Sequence, residues 1–332
     1  MGIKNILITL PIIGLLAYFF FDAFAWAFWH ATWIGDSTAD CSKDGACWAV
    51  ISARWEQILY GFYPKNEQWR VNCALLLLPL ALVGAVSLKA LKYRLLVILI
   101  AVCLIVYLLY GGFYLTVVPT DLWGGFFLTV VLSAGSIICS FPIAILLALG
   151  RHSSLAIIKP LCITFIEVVR GVPLVSILFL AAVMFPLFVS SNVVLNNLFC
   201  VFVGIALFQA AYLAEVIRAG LNSVPKGQIE AATSLGLPHR YITSLIILPQ
   251  ALRTAIPGIM NSFIALFKDT TLVLIVGIYD FLGIVQTSTT DPKWLGTALE
   301  AYLFCALVYW VICFSMSFYS KRLEKKLRVS SA

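Results

Sequence analysis

Charge is what this chain has least of. Only 11% of its 332 residues are Asp, Glu, Lys or Arg, while 62% are hydrophobic and the mean hydropathy is +1.02. A soluble domain carries about 25% charged residues, so the composition excludes an ordinary water-solvated globule. Histidine is scarce too. His30, His152 and His239 lie far apart, and neither HExxH nor a paired-cysteine zinc spacing occurs, so no metal centre is expected. Neither GxxxxGK(S/T) nor GxGxxG is present. Without a phosphate-cradling loop the chain is expected to bind no nucleotide or other cofactor, and any ATP hydrolysis must sit on another subunit. The formal charge of +7 comes with no aromatic-interleaved basic patch, so no nucleic-acid partner is expected.

What the chain has in quantity is apolar runs near the roughly 20 residues that a helix needs to cross a bilayer. Eight candidate spans follow, at about 6–29, 71–88, 95–111, 124–149, 172–189, 193–217, 255–278 and 297–319. The expected fold is all-α, a polytopic membrane protein. Residues 154–189 are too long for one crossing and are punctuated by Glu167, Arg170, Gly171 and Pro173. They divide into an interfacial helix at about 155–170 and a span opened by Pro173, a residue suited to a first helical turn. Lys4, an apolar core and Ala23-Phe24-Ala25 also fit a cleavable signal peptide. The run continues through WAFW without a polar break, which favours a retained anchor.

Lysine and arginine set the orientation. With the N-terminus inside, Lys4, Lys89, Lys92, Arg94, Arg151, Lys159, Arg170, Arg218, Lys226, Arg240, Arg253 and the final Lys321, Arg322, Lys325, Lys326 and Arg328 all face the cytoplasm. The other side holds only Lys43, Arg54, Lys65, Arg70 and Lys293. That bias predicts cytoplasmic N- and C-termini. The chain divides into a three-span region (1–118) with an outer loop at 30–70, a working core (119–320) and a basic tail (321–332). Seven cysteines lie in or beside apolar runs and behave as small hydrophobes. Cys41 and Cys47 share a polar loop and can pair if it meets an oxidising space.

Between two apolar segments runs QIEAATSLGLPHRYITSLIILP, residues 228–249. Pro225 can open a short helix over Lys226–Leu235, with Glu230 near the positive end of its dipole. Gly236 can close that helix in the left-handed conformation, and Pro238 can open the next. The second piece, His239 to Leu248, places Tyr241, Leu245 and Leu248 on one face and Arg240 and Thr243 towards water. Pro249 weakens its far end. Two short helices at a fixed angle suit docking into another protein's groove. An amphipathic loop resting on lipid headgroups fits the same physics.

The residue identities narrow this. Glu230-Ala231-Ala232, then Gly236, Ile246 and Leu248-Pro249, reads EAA-x3-G-x9-I-x-LP and resembles the EAA loop of permease subunits of bacterial ABC importers. Trp123 to Thr129 with Leu146 to Arg151, Phe165 to Leu174, and Phe267-Lys268-Asp269-Thr270-Thr271-Leu272 resemble the polar amino acid permeases of the histidine/glutamine type, with Thr271 where Ser is usual. The extra N-terminal spans, the stretch from Tyr63 to Arg70 and the RGVPL variant resemble the M-type permease of general L-amino acid importers. The resemblance covers about 121–320. It implies a type I importer core of five helices behind three N-terminal ones, in the bacterial inner membrane. It further implies a second homologous permease, two ATP-binding subunits and a periplasmic amino-acid-binding protein, with Glu230, Ala231, Ala232, Gly236, Leu248 and Pro249 coupling to the ATPase.

Charges within spans need a reason, since one at mid-bilayer costs roughly 2.5–3.5 kcal/mol. Lys268 and Asp269 sit within 255–278, either lining a translocation path with Thr270 or forming a structural interhelical ion pair. Gln209, Asn261 and Ser262 can line that path or bond neighbouring helices. Glu215 with Arg218, and Glu167 with Arg170, are spaced for local pairs. An ion-gradient-driven secondary transporter is the alternative, but no inverted repeat with a second interrupted half is visible. A membrane-embedded enzyme or scaffold would need a catalytic constellation or a large soluble appendage.

Overall fold

Among the described residues the apolar runs fold as helix. A computed structural model describes residues 3–88, 90–188 and 195–329. Lys89, the limits of two expected spans at 189–194 and the end of the tail lie outside the described residues, as do the side chains of Lys4, Lys326 and Arg328.

The first region contains α1 (Ile3–Phe24), prolonged by a π turn at Ala25–Trp29, then α2 (Ala49–Tyr60), α3 (Gln68–Ser87) and α4 (Leu91–Tyr110). The core follows as α5 (Gly125–His152), α6 (Ile158–Gly171), α7 (Leu174–Phe179), α8 (Asn197–Asn222), α9 (Lys226–Ser234) and α10 (His239–Tyr241). It ends with α11 (Leu248–Asp269), α12 (Phe281–Thr289) and α13 (Ala298–Val329). No strand occurs among the described residues. Among the described residues seven helices are long and apolar enough to cross a bilayer, or eight when the bent pair α6–α7 counts as one. Helix α13 carries the basic tail as far as Val329.

Proline decides several joints. Val172 precedes Pro173 and is extended, because the proline ring forces its neighbour out of the α region. Helix α6 therefore stops at Gly171, and the chain turns 105° into α7 and the helical turns up to Phe188. Pro173 caps α7 from outside rather than lying in its first turn.

Pro249 acts differently from expectation. The helix runs on as α10, a π turn (Ile242–Ile247) and α11, so His239–Val276 is one 38-residue helical span. The wider π turn ahead of Pro249 leaves room for a ring that would clash with the carbonyl four residues back.

Helix α8 lies at the centre, packed against α5, α11, α6 and α7. Ala210, Ala211 and Ala214 on it are fully buried, and their small side chains let neighbouring helices approach closely. One apolar cluster joins Val71, Ala74 and Leu109 of the first region to Phe127, Leu132, Val201 and Ile205 of the core. The two regions therefore share a core.

At the end of the bundle remote from α9, the segment before α2 closes on itself through a Cys41–Cys47 disulfide. The backbone N–H of Cys47 donates to Glu300 Oε1 at 3.2 Å. Helix α2 packs on α5, α12 and α13, and Arg54 pairs with Asp291. Gly61 ends α2 at φ +63°, where a Cβ would stand 2.4 Å from Gly124 Cα. Only glycine combines that dihedral with that contact.

Candidate functional site

The elbow forms as an exposed, self-capped helix. Leu237 N–H reaches Ala232 O at 3.3 Å and Gly236 N–H reaches Thr233 O at 2.9 Å. With Gly236 at φ +73° these two bonds make a complete Schellman closure. Thr233 and Ser234 hydroxyls bond back to Ile229 and Glu230 carbonyls at 2.8 and 3.0 Å. Ala232 alone on α9 is buried, while Glu230, Ala231, Gly236 and Pro249 are exposed and Leu248 is half-buried.

The second arm differs from its sequence expectation. Ile242 and Ile247 are its buried residues, whereas Tyr241 and Leu245 are exposed. The π turn explains this, since residues five apart share a face there. The outcome is an apolar surface on the elbow: Leu235 is 79% and Leu245 69% exposed, with Leu237 and Tyr241 beside them in the sequence. Arg240 lies over the Tyr241 ring at 4.8 Å.

Beside the elbow the structure gathers five charges from three helices. Glu215 and Arg218 pair locally as their spacing suggests. Glu167 and Arg170 do not form their expected local pair. Glu167 instead takes Arg151 of α5 at 2.7 Å, and Arg170 of α6 reaches Glu215 of α8 at 3.9 Å. Arg151 is also 3.5 Å from Glu215. Packing of α5, α6 and α8 chooses the partners, and no local spacing carried that information.

The six residues expected along a path separate into three sets by burial. Asn261 and Lys268 are exposed on α11, as is Thr254, at steps of seven that keep them on one face. Gln209 is buried and its Nε2 donates to the Ser262 carbonyl at 3.2 Å, while Thr270 is buried with its hydroxyl on Phe267 O at 2.9 Å. Asp269 and Ser262 are half-buried. Among the described residues neither Lys268 nor Asp269 joins a salt bridge.

Asp280 is a further buried acid. It caps α12, its Oδ1 accepting from Gly283 N–H at 2.9 Å, and Oδ2 is 3.4 Å from the Tyr309 hydroxyl. Thr129 Oγ1 accepts from Phe281 N–H at 3.0 Å. Complete burial pushes the Asp280 carboxyl up to about 6, against the lowering effect of these hydrogen bonds. An Asp directly before the apolar FLGIVQ is a readable N-cap signal. Arg70 is buried as well, donating to Thr116 O and Oγ1 at 2.8 Å each and pairing with Glu67 at 2.7 Å.

Known proteins match this architecture. Residues 140–329 fit the family described as binding-protein-dependent transport system inner membrane component. The chain is 46% identical to the inner membrane amino-acid ABC transporter permease protein YhdY of Escherichia coli K12, over 97% of its own length and 89% of the relative's. It is 38% identical to the glutamate/glutamine/aspartate/asparagine transport system permease protein BztC of Rhodobacter capsulatus, over 96% and 90%. A crystal structure of an amino acid ABC transporter with histidines superposes on 61% of this chain and 92% of that one, at 28% identity and a TM-score of 0.55. Sequence relatives over nearly the full length and the shared helical core agree, and the chain belongs to the binding-protein-dependent inner-membrane transport family, as a permease subunit of a polar amino acid ABC importer.

Proposed function

We propose that α9 and the turn after it are the handle through which a separate ATPase subunit drives this permease. The observation that carries the proposal is the exposed, backbone-capped elbow with Leu235, Leu237, Tyr241 and Leu245 turned outward. A helix that its own chain leaves almost bare, rimmed by large apolar side chains, fits a protein groove. In the full assembly two ATP-binding subunits would seat two such elbows, one from this chain and one from a second, homologous permease. A periplasmic amino-acid-binding protein would deliver the ligand at the opposite end. Both termini and α9 would face the cytoplasm of a bacterial inner membrane, as the lysine and arginine distribution supports.

Closure of the ATPases would push on Glu230, Ala231, Ala232 and Gly236, and Leu248-Pro249 would carry the motion into α11. Asn261 and Lys268, exposed on one face of α11, would face the water-filled path between the permeases. A lysine turned to lipid there would cost roughly 2.5–3.5 kcal/mol. Asp269, Thr270, Ser262 and Gln209 would support that wall.

Gly236→Val tests the handle. Nothing lies within 4 Å of a Cβ at this position, so the substitution strains the backbone without a clash. A left-handed β-branched residue costs roughly 1–2 kcal/mol, enough to loosen the elbow. The expected outcome is a complex that inserts and assembles but hydrolyses ATP without matching uptake. Normal coupled uptake by this variant would overturn the handle.

A further inference from the structure

Glu215 is the hub of the five-charge group beside the elbow. It lies on α8 and faces Arg218 of its own helix, Arg151 of α5 at 3.5 Å and Arg170 of α6 at 3.9 Å. Arg151 is divided, since it also holds Glu167 of α6 at 2.7 Å. Three arginines meet two glutamates, so one positive charge is left over, and Glu215 has three cations within reach while Glu167 holds only Arg151. The buried Nε of Arg170 has no hydrogen-bond partner, while its guanidinium lies 5.5 Å above the Tyr212 ring and the Tyr212 hydroxyl reaches Arg170 O at 3.4 Å.

The group is therefore built to trade partners. Its four principal side chains are roughly a quarter to a third exposed, at 22% for Arg151 and Glu215, 33% for Arg170 and 29% for Arg218. Partly exposed pairs of this kind are individually weak, so an arginine can pass from one carboxylate to another when a helix shifts. The mechanical link to the elbow is short. Helix α8 runs unbroken past Glu215 to Asn222, and only Ser223, Val224 and Pro225 separate it from α9. Seven residues of helix from Glu215 to Asn222 span about 10 Å, and Gly220 packs so tightly that a Cβ there would lie 2.4 Å from Ala251 O. Movement of α9 reaches Glu215 with little slack.

We infer that Glu215 is a positioning residue for transport, which passes the displacement of α9 to α5 and α6 by exchanging Arg151 and Arg170. This rests on the reading of α9 as the ATPase-driven handle. In one arrangement Arg151 belongs to Glu167 and ties α5 to α6; in the other it belongs to Glu215 and ties α5 to α8. A network with two discrete arrangements, biased by the handle at one side and the path at the other, is what energetic coupling between distant sites requires.

The test uses the whole transporter, with both permeases, the ATPase and the binding protein, in proteoliposomes. Its probe is the labelled L-amino acid that the unmodified complex takes up fastest. Glu215→Gln is expected to lower uptake per ATP hydrolysed by roughly two- to thirtyfold, the range seen for substitutions along coupling networks. The amino-acid concentration for half-maximal uptake should not move, and Glu215→Asp should restore most of the loss. Glu215→Gln combined with Arg151→Gln should cost less than the product of the two single losses, because both remove the Arg151–Glu215 contact, even though Arg151→Gln also releases Glu167.

An unchanged uptake-to-ATP ratio for Glu215→Gln, or losses that multiply independently in the double variant, would overturn the inference. Should Glu215→Gln fail to assemble, Arg151→Gln and Arg170→Gln leave the Glu215–Arg218 pair in place and carry the same test; normal ratios in both sink it. Uncoupling by Gly236→Val with normal Glu215→Gln removes the hub and leaves the handle standing. Normal Gly236→Val removes the handle itself.

Discussion

Two short helices join spans at opposite ends of this molecule, and they are built on opposite plans. Helix α2 is fastened along its inner face and at both ends. Ala49, Val50 and Ile58 are buried, Arg54 pairs with Asp291, a disulfide closes the segment before it, and Gly61 touches the backbone of Gly124. Helix α9 buries one side chain, Ala232, and ends in a backbone cap. Side chains already consumed within a chain cannot be offered to a partner. The far end thus reads as a fixed lid on the core, and the elbow as a surface held ready.

The strongest way to break this contrast is Gly61→Val, the counterpart of Gly236→Val. Both positions have positive φ, at +63° and +73°, but a Cβ at 61 meets Gly124 backbone at 2.4 Å whereas one at 236 meets nothing. Left-handed strain and overpacking together should cost about 2–5 kcal/mol at 61. The expected result is loss of folded complex, read as a collapse of the size-exclusion peak and melting temperature in detergent. A Gly61→Val protein that melts with the parent would mean the far end is no more rigid than the elbow.

A second test lies in Asp280, also at the far end. Its folded carboxyl stands at about 6 against an ordinary 3.8, so folding favours the protonated form. The associated stability is fully present below about pH 4 and is lost as pH rises through about 6, a difference of about 3 kcal/mol. Asp280→Asn keeps an acceptor for Gly283 N–H and cannot ionise. The melting temperature of Asp280→Asn minus that of the parent should therefore rise between pH 4 and pH 7. A flat difference would show that the carboxyl titrates like an exposed one.

How much of this the sequence disclosed depends on range. Span positions were legible because twenty apolar residues can hardly do anything but cross a bilayer. The α9 boundaries were legible from Pro225 and Gly236, whose constraints are local. Helix α2 was not. Its twelve residues, AVISARWEQILY, include two charges and are too short to span, so only packing on α5, α12 and α13 reveals it. The exposed face of residues 239–248 is illegible because α-helical spacing does not hold through the π turn at Ile242–Ile247, ahead of Pro249. Arg151 with Glu167 is illegible for a similar reason: they are sixteen positions apart across a helix–helix junction, and only tertiary packing brings them together.

The finest discrimination between the two ends comes from a change that should hardly disturb stability. Leu235 closes α9 and is 79% exposed, so Leu235→Ser removes apolar surface that the chain itself does not bury. Surface substitutions away from such packing stay within about 0.5 kcal/mol, and the melting temperature of the isolated permease should not move. If the elbow is a docking surface, that same side chain is buried only in the assembled transporter. Loss of one well-buried leucine contact at an interface costs about 1.5–3 kcal/mol, so co-purification with the ATPase should weaken by roughly ten- to a hundredfold. The equivalent change on the fastened helix, Ile58→Ser, should do the reverse, lowering the melting temperature while leaving capture of the ATPase by surviving molecules intact. A Leu235→Ser permease that binds its ATPase as the parent does would place the contact elsewhere on the bundle.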